Sequence, residues 1–176
     1  MEKRINNITD LVKEQVKYGE YRRIQILDAA LGLCGETAEV IEAVLSGDKQ
    51  LMINEIGDAW WYANSLVDGL NIGSYYKSSR ELDMDVDNGI EAKYDLFNIV
   101  ILTSVKAGKV GDLIKKIMMK GLPVDNTELT KAISEVMVCL AIAAKRLGTS
   151  LTEIERITID KIYSRYPNGF NNKEVR

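Results

Sequence analysis

Apolar residues recur at helical spacing through most of the chain, and no stretch shows the strict alternation of a half-buried strand. The spacing predicts an opening helix over 5–18 and long helices over approximately 22–46 and 50–70. More helix is expected after residue 89, including a closing helix that starts with the capping box Ser150-x-x-Glu153 and stops before Pro167. In the first long helix Leu27, Leu31, Cys34, Ala38, Ile41 and Leu45 line one apolar seam, which Leu33, Val40 and Val44 widen past half the circumference. Such a helix is expected to be mostly buried. The period fails over 71–88, which reads as a connection with one helical turn, its final acids starting the next helix. The expected fold is all-α and a single domain.

Against this apolar background two pairs of acids stand out: Glu36 and Glu39 on the first long helix, Glu55 and Asp58 on the second. Each pair has i,i+3 spacing and so occupies one helix face. Like charges at this spacing repel, and packing the two helices together multiplies the cost unless a cation intervenes. Four carboxylates without histidine form an all-oxygen set suited to Mg²⁺ or Mn²⁺, ions commonly held by a few carboxylates together with substrate phosphates. The competing reading is a solvated acidic face. Tyr62 shares the stripe of Glu55 and Asp58, whereas Trp60 and Trp61 read as core.

Composition narrows the field. The chain has 176 residues, 46% hydrophobic and 28% charged, with a net charge of −3, ordinary for a globular domain. That charge offers no general attraction to nucleic acid or an anionic membrane. No apolar run approaches the ~20 residues that span a bilayer, and the first residues do not read as a signal peptide, so a cytoplasmic protein is expected. The absence of histidine excludes Ser-His-Asp and Cys-His triads, leaving proton transfer to a carboxylate or a metal-activated water. Cys34 and Cys139 lie in apolar helical stretches and read as reduced core residues. The run Asp83-x-Asp85-x-Asp87 lacks the glycine and closing acid of an EF-hand.

The second half resembles the first. Laying Gly108 on Gly35 places Lys109 at Glu36 and Asp112 at Glu39, and laying Ile133 on Ile53 places Glu135 at Glu55 and Val138 at Asp58. On this reading residues 1–70 form a catalytic half, 71–88 a connection, and 89–176 a degenerate repeat followed by the closing helix. A two-helix unit would then find its partner within the chain, as an internally duplicated pseudo-dimer. Lys109, Lys115 and Lys116 would sit on the degenerate side. Lys161 and Arg165, at i,i+4 near the end of the closing helix, share a face and could serve phosphates or the helix dipole.

The segments Gly35-Glu-x-x-Glu39, Glu55-x-Gly-Asp58 and Trp61-Tyr62, with the ending Lys161-Ile-x-x-Arg165-Tyr-Pro-x-Gly-Phe170, are similar to the signature of the MazG-like all-α nucleoside triphosphate pyrophosphohydrolases, particularly small phage and bacterial members. The resemblance implies a four-helix catalytic core with flanking helices and Mg²⁺ held by Glu36, Glu39, Glu55 and Asp58. It further implies hydrolysis of a nucleoside triphosphate to monophosphate and pyrophosphate, with Lys161 and Arg165 at the phosphates or nucleotide; Tyr62, by its place on the stripe of the acids, is a candidate contact to sugar or base. Thr158 stands where the family carries an asparagine. Family members usually complete the core by dimerising, so a homodimer or higher homo-oligomer is expected unless the second half supplies the partner helices in cis. Two alternatives stay open: a MazG-like fold that binds a nucleotide without turning it over, and a helical module whose acidic stripe meets a basic protein.

Overall fold

The computed structural model describes residues 5–15, 22–87, 94–121 and 126–166. Among these the chain forms seven α-helices and no strand: α1 (Ile8–Gln15), α2 (Arg22–Ser46), α3 (Lys49–Leu70), α4 (Ser79–Asp87), α5 (Leu96–Lys120), α6 (Asn126–Arg146) and α7 (Leu151–Arg165). None of them is long and apolar enough to cross a membrane.

Local chemistry sets the helix ends. Gly47, at φ +74°, turns the chain out of α2, and Asp48 caps α3 by accepting a hydrogen bond from the Leu51 amide at 3.0 Å. Asp95 caps α5 in the same way, accepting from the Asn98 amide at 2.8 Å, and left-handed Gly121 ends that helix. Ser150 caps α7 as the sequence suggests, accepting from the Glu153 amide at 3.1 Å. Only this half of the capping box forms, because the Glu153 carboxylate is taken by Arg156.

The four long helices close a ring: α2 packs on α3, α5 on α6, α2 on α5 and α3 on α6, while α1, α4 and α7 pack on α3 or α6. Exchanging α1, α2 and α3 for α4, α5 and α6 leaves this set of principal contacts unchanged, with α7 alone in having no counterpart. Burial follows the same exchange. Ala29, Ala30, Leu33, Thr37, Val40 and Ala43 are buried on α2, and so are the matching Ile99, Val100, Thr103, Ala107, Val110 and Leu113 on α5. On α3 and α6, buried Ile53, Ile56 and Trp60 match buried Ile133, Val136 and Leu140.

Three readings from the sequence need correction. The matching burial on α2 and α5 sets Lys106 at Glu36 and Lys109 at Glu39, about one helical turn from the register that the glycines suggested. Segment 71–88 is more than a connection: it holds a 3₁₀ turn, Gly73–Tyr75, and the helix α4. Asp85 and Asp87 end that helix instead of starting one, and the unfavourable dipole there is offset by ion pairs to Lys77 and Lys145. Finally, α2 is not mostly buried, for Leu31 is 73% and Leu45 71% exposed.

Helix α7 is fastened from both sides. The Glu155 carboxylate, 8% exposed, accepts from Trp60 Nε1 at 2.9 Å and from the Ile8 amide at 3.0 Å, tying α7 to α3 and α1. From α4, Asp83 accepts from the Leu151 and Thr152 amides at 2.8 and 2.9 Å, capping α7 from outside. Removing the carboxylate in Asp83→Ala is expected to cost about 1–2 kcal/mol, a fall in melting temperature of roughly 2–8 °C. Asp83→Asn, which keeps an acceptor, should lose less. Unchanged melting of the alanine variant would show that Ser150 alone suffices as the cap.

Candidate functional site

The predicted acids meet where α2 crosses α3. One carboxylate oxygen from each of Glu36, Glu39 and Glu55 lies within 4.8 Å of the others, with Glu36 and Glu55 half-buried and Glu39 exposed. Asp58, one turn along α3 from Glu55, lies beside them and raises the proton affinity of both Glu36 and Glu55. Its own oxygens both accept from Lys161 Nζ on α7, in an ion pair mostly shielded from solvent.

Two glycines make this convergence possible. A methyl at Gly57 would lie 2.0 Å from Thr158 Oγ1, so only glycine allows α7 to approach α3 closely enough for Lys161 to reach Asp58. Thr158 is buried, and its hydroxyl donates to the Ile154 carbonyl at 2.9 Å. The threonine thus packs the α3–α7 crossing. At Gly32 a methyl would lie 2.4 Å from Tyr62 Cε1, so the half-buried Tyr62 ring rests against the backbone of α2, a few residues from Glu36. Arg165 is exposed at the last residue of α7, one turn beyond Lys161.

Electrostatics follow from crowding. Burial, then the charges of Asp58, Glu39 and Glu55, pushes the Glu36 carboxyl up to about 8. Protonated Glu36 donates to Glu55, whose own affinity for protons is raised by burial and by Asp58 and Glu39. Counting only the described residues, Asp58 alone among these acids has a protein cation bound to it. Three oxygens from carboxylates, drawn together against their repulsion, match the donor chemistry of a hard divalent cation.

The second half shows what the same position does with a cation supplied by the chain. Lys106 stands at the Glu36 position and bonds Glu135, the counterpart of Glu55, at 2.8 Å. That lysine holds the Glu135 carboxyl below its ordinary value. Val138 replaces Asp58, and Lys109 pairs with Glu128 at 3.5 Å, while Lys115 and Lys116 both pair with Asp112. Cys34 and Cys139 are free thiols, and burial raises both above the usual thiol range. Sequence reasoning missed Glu155, which anchors Trp60, and the Lys161–Asp58 pair. A lone glutamate on a helix carries no signal of burial, and residues so far apart in sequence carry none of contact.

These shifts fix the sign of a pH effect in metal-free protein. Unfolded Glu36 releases its proton near 4.5, whereas folded Glu36 keeps it to about 8. Between those values the folded state holds a proton that the unfolded state lacks, so stability falls as pH rises across the window. Melting in chelator is expected to decline from about pH 5 to about pH 8, and Glu36→Gln should flatten the decline. Parallel slopes in the two proteins would remove the assigned shift. No protein-family model matches the chain, and neither a curated protein nor a solved structure is significantly similar to it, so the geometry of the acids carries the functional reading.

Proposed function

We propose that this chain is a Mg²⁺-dependent (or Mn²⁺-dependent) nucleoside triphosphate pyrophosphohydrolase of the MazG-like kind, built as an internally duplicated two-helix unit around one competent site. The observation that carries the reading is the convergence of Glu36, Glu39 and Glu55 beside the Asp58–Lys161 pair. The replacement of Glu36 by a lysine at the matching place in the second half supports it, since there the chain meets the same need for positive charge itself. A solvated acidic face fits less well, because Glu36 and Glu55 are half-buried and a purely structural site gains nothing from like charges there.

In this reading Glu36, Glu39, Glu55 and Asp58 hold the cation. When bound, it offsets phosphate charge and acidifies a water at neutral pH. Lys161, steered to the site by Asp58, and Arg165 beyond it neutralise phosphate oxygens. Tyr62, fixed against α2, borders the space for sugar or base. Water adds to the α-phosphorus as the bond to the bridging oxygen breaks; pyrophosphate leaves, and one of the four carboxylates takes the water's proton.

The decisive experiment is a panel of ribo- and deoxyribonucleoside triphosphates with Mg²⁺ or Mn²⁺, the products resolved as monophosphate plus pyrophosphate or as diphosphate plus phosphate. Metal-dependent pyrophosphate release is expected, and Glu39→Ala or Asp58→Ala should reduce it by about 100-fold or more. At one hundred times its dissociation constant the metal should stabilise the fold by about 2.7 kcal/mol, a rise of roughly 5–10 °C. A silent panel with no metal-induced shift would leave the module without turnover as the better reading.

Glu36→Lys transplants the arrangement of the second half. It should raise the melting temperature of metal-free protein and abolish the response to Mg²⁺. A variant that still binds the metal would exclude Glu36 as a ligand.

A further inference from the structure

Both crossings of the long helices carry a lysine on a carboxylate, and the two lysines are held differently. Of the four places in the second half that match the acids, only Glu135 is acidic, and Lys106 of α5 itself bonds it at 2.8 Å. In the first half Lys161 reaches in from α7, and both Asp58 oxygens accept from its Nζ. The ammonium is also near enough to Glu55 for its charge to favour the ionised form of that carboxylate. Among the described residues one positive charge thus stands beside four acids.

An ammonium shared by both oxygens of a carboxylate lies across the side on which that carboxylate would chelate a metal ion, and a divalent cation placed there would repel it. Asp58 therefore serves one cation or the other. The backbone of α7 has little freedom to resolve the conflict, because Thr158 fills the gap at Gly57 and Glu155 is held by Trp60 and the Ile8 amide. The side chain has that freedom. Lysine carries its charge on a flexible four-carbon stem, and Lys161 lies in the last turn or so of α7, four residues before Arg165. Its ammonium can swing away while the helix stays in place.

We infer that Lys161 is a resident stand-in for the metal ion: it neutralises Asp58 in metal-free protein, yields Asp58 to an entering divalent cation, and turns its ammonium toward Arg165 to meet phosphate. The inference rests on the metal site proposed above and adds an order to it, cation before nucleotide. It is tested on the full chain by NMR of the lysine ammonium groups, with Lys161 assigned through its side-chain carbons. In chelator a slowly exchanging Lys161 signal is expected in the native protein and not in Asp58→Asn, and saturating Mg²⁺ should remove it. Calorimetric titration with Mn²⁺ should show Lys161→Met binding the metal about tenfold more tightly than the native chain. A signal missing from native protein in chelator would overturn the inference, as would equal Mn²⁺ affinities in the two proteins. A signal that survives saturation with Mg²⁺ would also overturn it, while leaving a metal site held by Glu36, Glu39 and Glu55 without Asp58. Absence of metal binding from both proteins would remove the site and the inference together.

Discussion

Carboxylates crowded at one helix crossing must each find positive charge, a proton or solvent, and much of the molecule is arranged around how they do so. Asp58 takes the ammonium of Lys161, Glu36 keeps a proton to about 8, and Glu39 stays in solvent. At the matching crossing of α5 and α6 a lysine is built in, and Glu135 is a settled anion. The same helical frame therefore holds one crossing whose electrostatics are complete and one whose electrostatics are not. An incomplete site is costly for folding and useful for binding a cation, because the free energy of binding is largest where the ligand relieves existing repulsion.

Helix α7 links this electrostatic arrangement to the fold. It alone breaks the exchange of halves, and among the described residues it delivers the only protein cation that reaches the four acids. Its position is over-determined: Asp83 caps it from α4, Glu155 grips Trp60 and the first turn of α1, and Thr158 sits in the gap left by Gly57. Each contact fixes the rotation of α7 as well as its location, and rotation decides whether Lys161 faces Asp58. Thr158, which departs from the asparagine of the resembling family, acts here through packing, its hydroxyl satisfied within its own helix.

Much of this was legible in the sequence, for identifiable reasons. The helical period, the Ser150 cap and the absence of strand alternation specify an all-α chain, and i,i+3 spacing specifies that Glu36 and Glu39 share a face, as Glu55 and Asp58 do. That three of these acids meet across two helices follows from a short turn at Gly47, which forces α2 and α3 to be neighbours. What was illegible is set by long-range packing. The register between halves was misread because Gly108 resembles Gly35, whereas burial matches Gly108 to Ala38. The length of α4 was underestimated because only Leu82 and Val86 supply large buried apolar side chains in it, too few for a periodic signal.

The misreading of α2 has a physical content of its own. Apolar residues surround this helix so fully that periodicity cannot choose its inner face. The fold buries a face in which the small residues Ala29, Ala30, Thr37 and Ala43 alternate with larger ones such as Ile26, Leu33 and Val40, and leaves Leu31 and Leu45 outside. The same rotation sets the long side chains of Glu36 and Glu55 in hydrogen-bonding contact, Glu36 carrying the proton. The tight seam that assembles the acids and the apolar face left on the outside are thus two consequences of one choice of helix rotation.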